Sequence, residues 1–274
     1  EPTPAFQARL EAHRERMESL VKRYQARRQG HEVLGLLRSL RRTMADGYRD
    51  KVKMATKLPS WMIKSRQDMD AYLNAQLVKL QTDHIDYYLL HALAGDSWDH
   101  LQSIGVADFL DKAKADGRIV NAGFSFHGML ADFKRIVDGY PWEFCQIQYN
   151  YLDEENQAGT EGLEYAALKN LGVVIMEPLR GGNLGRPAPP PDVDAVWKTA
   201  TVKRTPVEWA LRWVWNHPEV TVVLSGMNDE AHIEENLAIA SQPGGAMERV
   251  TRPPVKLVTQ DVLGGGELAS DEAW

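Results

Sequence analysis

HIDYYLLHAL, residues 84–93, is the stretch whose reading decides the fold. Its tyrosines and paired leucines, in a run this short and apolar, suit a strand buried on both faces. The run nevertheless carries a histidine, His91, near its far end. A histidine in an apolar stretch is ordinarily a hydrogen-bonded core residue, so its meaning depends on what the neighbouring strands do at the same end.

From residue 50 onward, short runs of strand character recur: KVKMATK, IDYYLLH, IVNAGFSFH, EFCQIQYN, GVVIMEP and VTVVLSG. Between them, QDMDAYLNAQLVKLQ, WDHLQSIGVADFLDKAKADG, LADFKRIVDG, TEGLEYAALKNLG, PVEWALRWVWNHP and DEAHIEENLAIAS space their apolar residues three and four apart. That alternation predicts repeated βα units and a parallel sheet, with several helices stopping on a glycine suited to a left-handed cap. Each strand turns polar at its C-terminal end, at Lys57, His91, Ser125 with His127, Gln146 with Gln148 and Asn150, Glu177, and Ser225. In a β/α barrel those ends converge on one face, where such folds place their chemistry. Six such coincidences move His91 from core residue to site residue.

The bulk composition agrees with one α/β barrel: 274 residues, 43% hydrophobic and 26% charged. A formal net charge of −6 offers no general attraction to nucleic acid or to an anionic membrane. The single cysteine, Cys145, excludes an intramolecular disulfide and a cysteine-only metal or iron–sulfur site, and it suits a reducing compartment such as the cytoplasm. No membrane span or signal-peptide core is apparent, and the missing initiator Met points to a processed or trimmed chain.

Three segments follow: a basic helical stretch over 1–45, the repeat over 46–241, and a divergent tail over 242–274. The first has apolar residues at helical spacing and ten Lys or Arg between Arg9 and Arg42, which suits an amphipathic helix with a solvated basic face. The tail is rich in Gly and Pro and has one strand-like run, VKLVTQDV. Trp209, Trp213 and Trp215 sit at helical spacing and are expected to pack against the barrel. Pro189, Pro190 and Pro191 suit either a stiff lid or a spacer.

Residues 50–241 resemble the aldo-keto reductases, closest to the branch whose members often carry an appended iron–sulfur domain. The resemblance rests on GYRDKVKMATKLPSW, LQTDHIDYYLLH, GFSFH, FCQIQYNYLDE, EPLRGG, EWALRWVWNHPEV, VLSGM and EEN, in that order. It implies a (β/α)8 TIM barrel that binds a nicotinamide dinucleotide, usually NADPH, without a Rossmann glycine fingerprint, and none is present. It implies hydride transfer between the nicotinamide and the carbonyl of a small aldehyde or ketone, with an Asp, Tyr, Lys, His group managing the proton. On this resemblance Lys57 and His91 are the catalytic lysine and histidine, and Trp61 lines the substrate pocket. Ser125 and Gln146 hold the nicotinamide carboxamide. Glu177, Leu179, Arg180, Gly181 and Gly182 cover the pyrophosphate, and Ser225, Gly226, Met227, Glu235 and Asn236 hold the adenosine end.

The chain departs from the family at both ends. The first two strands, with the motif that supplies Asp and Tyr, are not recognisable. Aligning HEVLG, residues 31–35, with its family equivalent leaves Ala26 and Val21 at the Tyr and Asp positions, and only Tyr24 lies near. The cysteine cluster for iron–sulfur centres is absent. His232, with Glu234 and Glu235 beside it, stands where many relatives carry an arginine, so NAD stays open beside NADP. Two readings follow: an NADPH-dependent carbonyl reductase, or a catalytically impaired nucleotide-binding barrel serving as a redox-sensing or scaffold subunit. The divergent ends would dock a protein partner or a second copy. A nucleic-acid role lacks a docking motif.

Overall fold

The computed structural model describes residue 49, residues 51–227 and 229–242, and the strand Lys256–Thr259. The chain divides into two compact units, residues 1–52 with 78–81, and residues 53–77 with 82–274. Described residues of the first are few; among them Arg49 donates to the Val52 carbonyl at 3.3 Å. The expected basic helix, Tyr24 and the family's first two strands all fall outside the described residues.

The second unit holds a seven-stranded sheet in the order β1 to β7, every neighbouring pair parallel. The strands are β1 Ala55–Leu58, β2 Ile85–Leu93, β3 Ile119–Phe126, β4 Phe144–Gln148, β5 Gly172–Met176, β6 Val220–Ser225 and β7 Lys256–Thr259. The helices are α1 Arg66–Leu80, α2 Gly95–Ser103, α3 Val106–Ala115, α4 Leu130–Asp138, α5 Gly159–Leu168, α6 Pro191–Thr199, α7 Pro206–Trp215 and α8 Glu230–Ser241. Sequential parallel strands need a crossover, and the helices supply it. No helix among the described residues is long and apolar enough to cross a membrane.

Three features depart from the sequence reading. The stretch over 95–115 is two helices, because Gly105 adopts φ +79 between them and ends the hydrogen-bonded run. The proline run starts α6, with Pro191 in the first turn, where a fixed φ suits a helix and a missing N–H costs nothing. One run of the residues read as a tail, Lys256–Thr259, is a strand paired with β6.

Partner residues in register share a face of the sheet, and residues two apart along a strand share it too. One face carries Thr56, Leu58, Tyr88, Leu90, Phe124, Phe126, Cys145, Ile147, Val173, Ile175 and Val223, all buried. It is the side on which Tyr88 donates its hydroxyl to Gln76 of α1 at 3.0 Å. Burial pushes the Tyr88 phenol and the Cys145 thiol well above their ordinary pKa values, so both stay protonated and inert packing groups. The opposite face has less room. A Cβ on Gly123 would sit 2.5 Å from the Phe144 ring, and that ring packs edge-on against Tyr87 at 5.3 Å. Gly123→Ala is therefore expected to lower stability by roughly 1–3 kcal/mol, the cost of overpacking, read as a drop in the urea midpoint at constant m.

Glycine at Gly139 answers a packing need rather than a left-handed cap. Its φ is −83, and a Cβ there would meet Trp98 at 2.7 Å.

Candidate active site

β1 and β2 bring the two central candidates together. Lys57 pairs with Leu89, and His91 follows Leu89 by two residues, so both belong to the face opposite Tyr88. The Lys57 carbonyl accepts from Gln76 Nε2 at 2.7 Å, the same side chain that receives the Tyr88 hydroxyl, so one glutamine ties the β1 backbone to a side chain of β2. Lys57 itself is half-buried.

Between Leu90 and Leu93, three steps of β2 match two steps of β3, which places a bulge at His91 and Ala92. Bulges re-aim a side chain and concentrate beside sites. Ala92 takes φ +52, and its amide donates to Ser125 Oγ at 2.8 Å. The hydroxyl that the sequence assigns to a ligand thus also props the turn that carries His91. His91 is 4% exposed. Over it stands Trp61, 58% exposed, with ring centroids 5.0 Å apart and planes at 55°. Trp61 rides a single 3-10 turn, Ser60–Met62, whose following carbonyl at Ile63 contacts His100 Nε2 at 2.9 Å.

The same face continues through Ser125, which registers with Gln146, which registers with Val174. Gln146 Nε2 donates to Met176 Sδ at 3.1 Å. This leaves the Gln146 carbonyl oxygen as an acceptor and the Ser125 hydroxyl as a donor, side by side on adjacent strands. Lys57, His91, Ser125 and Gln146 therefore belong to one face of the sheet, with Trp61 against His91. Buried Asp86 lies at the other end of β2, where it accepts from the Met54 amide at 2.9 Å and pairs with Lys53 at 3.1 Å. That is the stability end of such a sheet.

After β5 the chain turns left-handed four times in six residues, at Glu177, Arg180, Gly181 and Gly182, with φ of +55, +49, +62 and +90. Cβ atoms on the two glycines would meet nothing within 4 Å, so backbone conformation rather than space calls for glycine. The loop largely closes on itself. Arg180 N donates to Glu177 O at 3.0 Å, Gly182 N to Leu179 O at 3.0 Å, Asn183 N to Arg180 O at 3.1 Å and Leu184 N to Leu179 O at 3.1 Å. Among the described residues, the Leu179 and Gly181 amides make no such backbone bond.

A buried network, not anticipated from the sequence, anchors that loop. Asp153 Oδ2 accepts from Gln148 Nε2 at 2.6 Å and Asn150 Nδ2 at 2.8 Å and lies 3.3 Å from Arg180 Nε. Asn150 also donates to the Glu177 carbonyl at 3.2 Å, and Asn156 to Gln148 Oε1 at 3.0 Å. The available signal was a carboxylate three residues after a polar strand end, in NYLDEEN.

Ser225 has the other parity. Its Oγ accepts from Asn236 Nδ2 on α8 at 3.2 Å, so this pair belongs to the helix-facing side. The Asn236 carbonyl oxygen is buried without a hydrogen-bond partner among the described residues, an acceptor in want of a donor. Gly226 is exposed, Met227 takes φ +29, and Glu235 accepts from Thr205 Oγ1 at 3.0 Å. His232 and Glu234 are exposed.

Three tyrosines elsewhere have engaged hydroxyls: Tyr140 with Asp111 at 2.6 Å, Tyr149 with Thr160 at 2.7 Å, and Tyr165 with Asp138 at 2.6 Å. No cluster suited to a metal ion occurs among the described residues.

The family model of the Aldo/keto reductase family matches residues 31–244. A curated relative, L-galactose dehydrogenase of Arabidopsis thaliana, is 24% identical over 205 residues; the match covers 69% of this chain and 63% of that protein. Among solved structures, the holo form of an aldo-keto reductase from Bacillus halodurans superposes with a TM-score of 0.61 at 22% identity, covering 72% of this chain and 69% of that one. Its apo form gives 0.60 at 22% identity, covering 74% and 70%. These structural likenesses establish the architecture, parallel strands and crossover helices in the manner of a (β/α)8 barrel.

Proposed function

The chain belongs to the aldo/keto reductase family, and on that premise we propose that it is an NADPH-dependent oxidoreductase reducing the carbonyl of a small aldehyde or ketone. The observation that carries this reading is the set of polar residues on one sheet face, Lys57 and His91 on adjoining strands and, one pleat beyond Lys57, Ser125 and Gln146 on the next two.

The residues present fit a nicotinamide dinucleotide. A carboxamide needs one donor and one acceptor, and the Ser125 hydroxyl and Gln146 carbonyl oxygen offer that pair. A pyrophosphate needs amide donors on a left-handed turn, and the Leu179 and Gly181 amides make no backbone bond among the described residues. The orphaned Asn236 oxygen suits an adenosine amine. When bound, the reduced nicotinamide supplies a hydride to the carbonyl carbon.

The chain's own groups handle the charge that this creates. As the carbonyl oxygen turns negative, the Lys57 ammonium stabilises that charge and would lower the pKa of the phenol that gives the proton, a role for which the sequence offers Tyr24, outside the described residues; the effect is enlarged where water is excluded. The His91 imidazole, held by the Ala92 bulge, donates to the same oxygen and fixes its direction. Trp61 covers His91 and sheds water from the pocket. Bound reduced cofactor, aldehyde and Lys57 are therefore the elements a test must address.

Titration with NADPH and NADH by fluorescence energy transfer, followed by turnover of 4-nitrobenzaldehyde at 340 nm, is that test. Tighter binding of NADPH with measurable oxidation is expected. Tight binding without oxidation would favour a nucleotide-sensing subunit, and failure to bind either nucleotide would sink both. Gly182→Ala, which forces a side chain into the left-handed region at roughly 1–2 kcal/mol, is expected to lower NADPH affinity and the urea midpoint together.

A further inference from the structure

Along a strand, one residue gives its N–H and C=O to one side and the next residue gives both to the other. Tyr87 N donates to Met54 O at 3.0 Å, and Tyr87 registers with Ala55, so Met54, Thr56 and Leu58 direct their backbone groups to β2. The N–H and C=O of Lys57 therefore point away from β2, which among the described residues is the strand beside β1. On that outer side the Lys57 carbonyl meets a side chain, Gln76 Nε2 at 2.7 Å. The ladder to β2 thus leaves the peptide that carries the candidate catalytic lysine to another element, and α1 supplies the bond.

Gln76 is itself held at both ends. Met69, Leu73 and Gln76 share one face of α1, and the first two are fully buried, so the helix cannot shift without disturbing the core. Asp68 caps the start of α1, where its Oδ2 accepts from the Lys64 and Ser65 amides at 3.0 and 2.8 Å. Asp70 ties the same helix to Arg118, just before β3, at 2.9 Å. At the tip of the side chain, Gln76 Oε1 accepts from the Tyr88 hydroxyl at 3.0 Å, and Tyr88 is wholly buried on β2. Burial keeps the Tyr88 proton in place, so that hydroxyl always has it to donate. With its oxygen claimed by Tyr88, the amide can turn only its nitrogen to Lys57.

From this we propose that Gln76 is a positioning residue for Lys57, acting through the lysine's backbone carbonyl rather than on the substrate. The inference rests on the reading of Lys57 as the catalytic lysine. An ammonium at the end of a long flexible stem inherits every rotation of the peptide from which the stem departs. A misplacement of about 1 Å at a reacting centre costs on the order of 10²-fold in rate. The anchor is specific in its chemistry, because a carbonyl needs a donor and a hydrocarbon of the same length offers none.

Steady-state and single-turnover reduction of 4-nitrobenzaldehyde by the full chain with NADPH tests this in Gln76→Met, Tyr88→Phe, Lys57→Met and the double variant of Gln76 and Lys57. Gln76→Met keeps the length of the side chain and loses both bonds; kcat is expected to fall about tenfold or more, with KM and NADPH affinity within about twofold of the parent. Tyr88→Phe strands the Gln76 oxygen but leaves the bond to Lys57, so it should lower the urea midpoint as Gln76→Met does and yet keep kcat within about threefold. In the Lys57→Met background, adding Gln76→Met should cost no further rate, because no ammonium is left to place. Should Gln76→Met fail to fold, Gln76→Glu carries the same expectation at alkaline pH, where its carboxylate accepts from Tyr88 and offers Lys57 no donor. Parent-like kcat in Gln76→Met, an equal loss of kcat in Tyr88→Phe, or a fully additive loss in the double variant would overturn the proposal. If Lys57→Met itself keeps the parent rate, the reductase reading falls and this inference with it; an impaired Lys57→Met beside an unimpaired Gln76→Met overturns the positioning role alone.

Discussion

Lys57→Met is expected to lower kcat/KM for aldehyde reduction by roughly 10²-fold to 10⁴-fold, the contribution of a positioned acid–base group, with little change in NADPH affinity. Methionine keeps much of the half-buried stem and removes only the ammonium, so β1 and its Gln76 anchor should survive. Removing a positive charge from beside the forming oxyanion, or from beside whatever acid protonates it, raises the cost of carrying negative charge there. The sign for pH follows: an acid deprived of its cationic neighbour has a higher pKa, so the alkaline limb of the kcat/KM profile should move up. Single-turnover mixing of the NADPH complex with aldehyde separates this from binding. A rate within a few-fold of the parent protein would remove Lys57 from the chemistry, and the reductase reading with it.

Asp153→Ala should have the largest effect on stability, a loss of about 3–5 kcal/mol, as expected when one partner of a buried charged network is deleted. One oxygen of Asp153 faces Gln148, Asn150 and Arg180. Without it, two buried amide donors lose their acceptor, and each such loss costs about 1–3 kcal/mol. The Arg180 leg adds less, because that side chain is 31% exposed and water screens it. Asp153→Asn keeps an oxygen and should lose markedly less. Urea unfolding read by fluorescence and circular dichroism gives the change in midpoint. NADPH titration of the same variants should show weakened affinity, since the loop from Glu177 to Gly182 is tied to Asn150 and Asp153. An Asp153→Ala protein as stable as its parent would mean that water replaces the carboxylate at no cost.

Much of this arrangement was legible in the chain because it is periodic. The six runs read as strands between residues 50 and 241 are β1 to β6, and the polar residues at their ends fall where the pleat puts them. The breaks in the pattern were the less legible parts. The left-handed turn at Gly105 splits one apparent helix into two, and a proline run that suited either a lid or a spacer starts α6. Pairwise partners were invisible for a different reason. Asp153 and Arg180 meet only because β4 and β5 are neighbours, and nothing local to either residue specifies the other. The same holds for Ser125, which looked like a ligand for the nicotinamide and is also the acceptor that holds Ala92 in its bulge.

The sequence by itself determined the alternation of strand and helix, the parallel sheet and the candidacy of Lys57 and His91. The first two follow from side-chain chemistry repeating at a period of two or 3.6 along a short stretch, and the third from polar residues closing the strands together with the family resemblance. Only the tertiary structure decided that VKLVTQDV contributes a seventh strand, that Trp61 covers His91, and that the loop after β5 spends most of its amides on itself. These depend on registers and contacts between residues far apart in the chain, where the free energy of pairing is set by neighbours that a local pattern cannot identify.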